Sequence, residues 1–269
     1  MDSNDLIVRC SSISDILTGE VGLTETQKER HKVLTDRHAS ISEKPLTENM
    51  LKEMNSLMFK KDNLELGKTC KSKIQEMFNE REFGISNFWT NKYVEKGIGI
   101  EDESLMLAQK VNGWDFMTKN EERFTNSFIT GEPDAVPDDF VVEIKSSWSI
   151  NTFPMYETEN PNKGYEWQVQ GYLWLTDKEI GNLSYCLVDT PEILVVDELY
   201  RTARKNGYID LPPKIEAEIR GNHSYAHINP KLRVNNFEIR RDEKMIERIK
   251  ERVSLCREYY EELKKITNI

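Results

Sequence analysis

Asp134 and Glu143, with Lys145 two residues further on, are the side chains of this chain best spaced to act together. They flank the stretch GEPDAVPDD, in which Pro137, Asp138 and Asp139 mark a turn. A hairpin centred between Asp138 and Asp139 sets Asp134 opposite Glu143 and Glu132 opposite Lys145. Side chains alternate along a strand, so Glu143 and Lys145 share one face while Val142 and Ile144 take the other. Opposed residues have Cβ atoms roughly 4.5–5.5 Å apart. Two carboxylates at that separation repel unless one is protonated or a cation lies between them. Hard oxygen donors so placed suit Mg²⁺ or Mn²⁺. Acids at a turn and a Glu-Ile-Lys on an exposed strand are also ordinary surface features. The setting argues for more: Phe140, Val141, Val142 and Ile144 form a nearly continuous apolar run, the pattern of a strand covered on both faces. Charges placed inside such a run require partners or a metal.

Two further groups fit the same chemistry. Glu101 begins a helix opened by Gly97 and Gly99, and Leu105 and Ala108 follow it at i+4 and i+7, which turns Glu101 inward. Asp102 and Glu103 beside it read as solvated acids favoured at a helix N-terminus. Tyr165, Gln168 and Tyr172 share one face of the helical segment YEWQVQGYLWL. Gln168 could hydrogen-bond the strand end that carries Lys145, or could be a buried, internally satisfied glutamine.

These groups need a frame. Residues 1–84 read as mostly helical. Ser12 can cap a short helix from Ile13 to Thr18, with Asp15 as a capping-box-like partner and Gly19 as its stop. Residues 24–44 form a polar excursion or an exposed helix, and Thr47 to Arg81 carries apolar residues at helical spacing, with its methionines read as core. The middle of the chain alternates: a helix over Ile100–Val111, strands over Ser127–Thr130 and Phe140–Ser146, a helix over Tyr165–Leu175 and a strand over Ser184–Val188. The class is α/β (α+β) with a central mixed sheet flanked by helices. A last helix over Arg240–Ile266 bears Ile246, Ile249, Val253, Cys256, Tyr260 and Leu263, a stripe that serves either a coiled-coil seam or docking on its own domain. The organisation expected is a helical region (1–84) packed on a core (85–235), followed by a C-terminal helix (236–269).

Gly97-x-x-x-Glu101, Pro133-Asp134, Glu143-Ile-Lys145 and Gln168-Val-Gln170 in an aromatic helix, taken together, resemble the PD-(D/E)xK nuclease superfamily. Within it the chain looks like the phage-type alkaline exonucleases, the lambda-type and YqaJ-like recombination enzymes, and more distantly like RecB-type nuclease domains. The opening Val8-Arg9-Cys-Ser-Ser-Ile-Ser-Asp-Ile-Leu-Thr-Gly also resembles theirs. The resemblance implies a restriction-endonuclease-like core and metal-dependent hydrolysis of phosphodiester bonds in linear duplex DNA, with 5′-to-3′ resection. It implies one or two Mg²⁺ (or Mn²⁺) ions held by Asp134, Glu143, the Ile144 carbonyl and Glu101. Lys145 would serve the attacking water, and Gln168 would position Lys145 or the scissile phosphate. Arg9, with the amides of the Ser12 helix, would bind a terminal phosphate, and Trp148 and Tyr165 would border the DNA, although Trp148 also suits a core. By the same analogy the partners are DNA ends, a single-strand annealing protein and further copies of the chain, in the cytoplasm of a bacterial host carrying a phage or prophage. A structure-specific endonuclease, or a non-catalytic DNA-binding module that has lost one of the acids or the lysine, are the alternatives; here Asp134, Glu143 and Lys145 are all present.

Composition bounds these readings. The chain has 269 residues and a net charge of −10, which argues mildly against a nucleic-acid partner but leaves room for acids that a divalent ion would offset. No run of 18 apolar residues is present for a membrane span, and Met1–Leu6 lacks the apolar stretch of a secretory signal. Cys10, Cys70, Cys186 and Cys256 form no CxxC pair, so neither a zinc knuckle nor a disulfide scaffold is expected. An iron–sulfur nuclease would need cysteines clustered late in the chain, where only Cys256 stands, so no cluster is expected.

Overall fold

The computed structural model describes residues 6–18, 23, 25–40, 44–62, 66–85 and 91–269. In chain order, β1 (Val8–Arg9) passes through a 3₁₀ turn (Cys10–Ser12) into α1 (Ile13–Leu17). Then come α2 (Glu25–Ala39), α3 (Glu48–Asp62), α4 (Lys68–Phe83), α5 (Lys92–Gly99) and α6 (Glu101–Asn112). Strands β2 (Phe124–Thr125), β3 (Ile129–Gly131) and β4 (Phe140–Ser146) lead to α7 (Lys163–Thr176) and β5 (Ile180–Cys186). The chain closes with α8 (Glu192–Asn206), α9 (Pro213–Gly221), a 3₁₀ turn (Pro230–Leu232), β6 (Val234–Arg240) and α10 (Glu243–Thr267). None of the described helices is long and apolar enough to cross a membrane.

The architecture is α/β, a central mixed sheet with helices on its faces. β4 and β5 run parallel in the register Phe140↔Ile180 to Ser146↔Cys186, and β6 lies antiparallel on β5. A smaller sheet has the order β1-β3-β2, with β1 parallel and β2 antiparallel to β3. Alternation along β4 sends Val142 and Ile144 against Leu105 and Ala108 of α6 and Cys186 of β5. The other face of β4 looks toward α7, where Gln168 meets Glu143. β4 is thus covered on both sides, as its apolar run requires.

Residue contacts divide the chain into two units, Met1–Ser14 with Ser86–Glu251, and Asp15–Ile85 with Arg252–Ile269. The first holds both sheets. The second is helical. In it Leu34 packs with Leu46 and Leu57, and the Phe78 ring meets Tyr260 at a tilt of 60° with ring centroids 5.1 Å apart. Cys70 Sγ and Cys256 Sγ lie 3.6 Å apart as buried thiols, and the Arg252 Nε donates to the Ile16 carbonyl at 2.6 Å. Ile246, Ile249, Val253, Cys256 and Tyr260 of α10 are all buried, so the apolar stripe is a packed face within this chain rather than an open seam.

Several sequence expectations are corrected. β3 and β4 do not form a hairpin ladder; β2 takes the edge of β3, and the chain returns to β4 through the single antiparallel bridge Ala135↔Val142. That bridge keeps the register that opposes Asp134 to Glu143. Glu132, beyond the bridge, turns instead to Arg123 Nε at 2.7 Å and does not meet Lys145. Gly97 and Gly99 do not open α6; they end α5, a separate helix whose start is capped by the Asn91 side chain accepting from the Tyr93 and Val94 amides. Ser12 closes a 3₁₀ turn rather than capping α1, and the Ile13 amide is already bonded to the Cys10 carbonyl. Gly19 lies outside the described residues. The strand expected over Ser184–Val188 runs from Ile180 to Cys186, because its buried positions include Asn182 and Ser184, which pair with Asn236 of β6 instead of forming an apolar run. β6 itself extends the sheet to Arg240, and α10 begins only after it.

One close approach lies beneath the helix that carries Gln168. A Cβ on Gly131 would stand 2.6 Å from Tyr172 Cε1 and 2.8 Å from Cys10 Sγ. Gly131→Ala is expected to lower stability by about 1–3 kcal/mol, read as a lower urea midpoint at constant m-value. An unchanged midpoint would mean that α7 can yield.

Candidate active site

A cavity of about 530 Å³ opens at the end of β4 and is lined by Glu101, Asp134, Glu143, Ile144, Lys145, Trp148, Tyr165 and residues of α5. β4 delivers Glu143 and Lys145 to it by strand alternation, the Ala135↔Val142 bridge delivers Asp134, and the first turn of α6 delivers Glu101.

Glu143 is 4% exposed. Its Oε1 accepts from Lys145 Nζ at 2.5 Å and from Gln168 Nε2 at 2.8 Å. Its Oε2 is buried without a hydrogen-bond partner among the described residues. Asp134 Oδ2 accepts from the Ile144 amide at 2.5 Å. Burial first, and the neighbouring Glu143 second, push the Asp134 carboxyl well above its usual range; the Ile144 N–H opposes this without overcoming it, and Glu101 adds to it. Burial alone would lower the Lys145 ammonium, but Glu143 and Asp134 outweigh it and raise it, so Lys145 is a cation at neutral pH. Its Nζ lies 3.4 Å from Gln168 Oε1 and 4.4 Å from the centre of the Tyr165 ring. Gln168 Nε2 also donates to Tyr172 Oη at 2.8 Å. Tyr172 and Cys10 are both pushed upward, by burial first and by Glu143 next, so both stay protonated under the acid pair.

Glu101 reaches the rim of the cavity rather than its floor. Its Oε2 accepts from Lys119 Nζ at 2.6 Å, and its side chain is 20% exposed. Among the described residues no three His, Cys, Asp or Glu side chains form a metal-ligand cluster. Asp134, Glu143 and Glu101 line one cavity, and Glu101 is paired with Lys119. The residues nevertheless fit a hard divalent ion. Glu143 raises the proton affinity of Asp134, and one buried carboxylate oxygen of Glu143 has no hydrogen-bond donor among the described residues, the condition a cation relieves.

Trp148 borders the cavity but is also packed: its ring meets Tyr93 edge-on at 5.3 Å and His223 at 5.4 Å, with Lys92 Nζ 4.4 Å from its centre. Lys96, fully buried on α5, donates to the Trp148 carbonyl at 3.1 Å, and burial lowers its pKa to about 8. Tyr165 lies beside Lys145. Arg9 and Ser12 stand outside the cavity; Arg9 is exposed on β1, paired through its backbone with Thr130, and Ser12 is buried. Sequence reasoning missed Lys119 and the α5 wall. Asn91 as a helix cap could have revealed α5. Lys119 carried no signal, because KNEER reads as a solvated run of charge.

A phage related exonuclease from Haemophilus somnus 129PT superposes with a TM-score of 0.68 at 28% identity, over 98% of this chain and 97% of that one. An alkaline exonuclease from Laribacter hongkongensis superposes with a TM-score of 0.56 at 14% identity, over 97% of this chain and 92% of that one. The same enzyme in complex with dAMP gives 0.57 at 13%, over 97% and 93%. No protein-family model matches the chain, and no curated protein sequence does. The chain therefore shares the PD-(D/E)xK-like fold of the phage-type and alkaline exonucleases.

Proposed function

We propose that this chain is a divalent-metal-dependent deoxyribonuclease that digests linear duplex DNA from its ends. Kinship with exonucleases over nearly the whole chain supports nuclease activity. The observation that carries the finer reading is the buried Glu143 Oε2, unpartnered among the described residues and set beside Asp134 and an ammonium in one cavity.

Asp134 and Glu143, with the Ile144 carbonyl, would hold Mg²⁺ or Mn²⁺, and Glu101 would support them. The ion, when bound, supplies an acidified water and offsets charge on the phosphate. Lys145 faces the same space as a permanent cation, suited to orient the attacking water or to balance negative charge that develops on the scissile phosphate. Gln168 fixes both partners at once, its Nε2 on Glu143 Oε1 and its Oε1 toward Lys145 Nζ, so that neither rotates out of the site. The Tyr165 ring lies against the ammonium, its centre 4.4 Å from Nζ, and adds a cation–π attraction. Arg9, exposed on β1 just before the Cys10–Ser12 turn, is the group proposed to receive a 5′-phosphate.

The test uses labelled linear duplexes with 5′-phosphate or 5′-hydroxyl ends and a closed circular duplex, each with Mg²⁺ or EDTA. Mononucleotides should appear from the linear substrates only, and only with Mg²⁺. Arg9→Ala should slow digestion of 5′-phosphorylated ends about tenfold while leaving 5′-hydroxyl ends unaffected. Cleavage of the circle would indicate an endonuclease, and cleavage in EDTA would remove the metal from the reading.

A further inference from the structure

Lys119 lies on the connection between α6 and β2, and its backbone is held on both sides. Two residues before it, Met117 exchanges two hydrogen bonds with the buried Gln109 side chain of α6: Gln109 Nε2 donates to the Met117 carbonyl at 3.0 Å, and the Met117 amide donates to Gln109 Oε1 at 3.1 Å. One residue after it, the Asn120 amide donates to the Asp134 carbonyl at 2.8 Å, and Asn120 Nδ2 donates to the Pro133 carbonyl at 3.1 Å. The connection is thus fastened to α6, which carries Glu101, and to the segment that carries Asp134. An ordinary surface lysine spends on fixing its backbone and rotamer most of what a salt bridge returns. Here the backbone is already fixed, and the side chain ends 2.6 Å from Glu101 Oε2, with Asp102 and Asp134 also attracting it.

We propose that Lys119 is a resident cation of the active site: its ammonium occupies the position at Glu101 that a second divalent ion would otherwise take. The Asp134–Glu143 pair then binds one ion tightly, and an ion at Glu101 must first displace Lys119. The inference rests on the reading of Asp134 and Glu143 as metal ligands. A compact ammonium on a flexible stem can be displaced in this way without moving the backbone.

Manganese binding without DNA tests it, with free Mn²⁺ counted by electron paramagnetic resonance and heats measured by calorimetry. The wild-type chain should take one ion tightly and a second only weakly. Lys119→Met should tighten the second site by about tenfold or more and leave the first unchanged. Lys119→Arg, which keeps the charge, should bind as wild type does, and adding Glu101→Gln to Lys119→Met should abolish the second site. Lys119→Gln is a second neutral variant should Lys119→Met fail to fold, as judged by circular dichroism. Superimposable isotherms for the neutral variants and the wild type would overturn the proposal while the one-ion reading stood. No binding by the wild type would overturn both.

Discussion

Replacing Lys145 by alanine is expected to reduce Mg²⁺-dependent cleavage by a factor on the order of 10²–10³ while leaving a folded protein. The Lys145 nitrogen lies against the acid pair, 2.5 Å from Glu143 Oε1, and its charge is secured by Glu143 and Asp134. Alanine removes that charge without altering β4, whose hold on the sheet comes from its ladder with β5 and from Val142 and Ile144 beneath α6. Gln168 Nε2 still binds Glu143 Oε1 in the variant, so the loss should fall on turnover and not on the position of the acid. Single-turnover rates on a labelled duplex, with far-ultraviolet circular dichroism as the control, measure this. Wild-type turnover by Lys145→Ala would remove the residue from the chemistry.

Asp134→Asn should separate stability from activity. The folded Asp134 carboxyl holds its proton more tightly than the unfolded chain does, because it is buried beside Glu143. A carboxyl raised in the folded state adds stability at pH values below its unfolded pKa, and that stability is lost as pH rises through the folded value. At neutral pH, above the unfolded pKa, the metal-free protein has therefore lost stability at Asp134 that it holds in acid. Asparagine keeps an acceptor for the Ile144 amide and removes the charge. In EDTA at pH 7.5 the variant should be more stable than wild type by about 1–3 kcal/mol, and the difference should shrink toward pH 4. Added Mn²⁺ should raise the melting temperature of the wild type and not of the variant, and the variant should have lost nearly all cleavage. Thermal melts at the two pH values, with and without Mn²⁺, suffice. A variant less stable than wild type in EDTA at pH 7.5 would mean that the buried charge is not the dominant strain at this position.

The two predictions draw on different kinds of information. Lys145 was legible in the sequence because a charge inside a buried apolar strand requires an explanation, and period-two alternation then assigns Glu143 to its face. For Gln168 the sequence left two readings open, a bond to the strand end that carries Lys145 or a buried, internally satisfied amide, and the structure sets its side chain on Glu143 Oε1 and beside Lys145 Nζ. The Asp134–Glu143 opposition was also legible, since a turn centred on Asp138 and Asp139 sets the register that the Ala135↔Val142 bridge has. Glu132 was misplaced by that same register, because continuing the ladder depends on which strand takes the next edge, and β2 took it.

What the sequence determined by itself was local: the extent of β4, the pairing of acid and lysine on one face, the α/β alternation and the apolar stripe of α10. These follow from periodicity and from the penalty for burying charge, which act between near neighbours in the chain. Tertiary structure alone decided that Glu101 is restrained by Lys119, 18 residues away, that α5 forms a wall of the cavity, and that Glu143 keeps one oxygen unpartnered among the described residues. Each of these depends on which distant groups reach a buried charge, and that is set by how loops are fastened between elements rather than by any pattern along the chain.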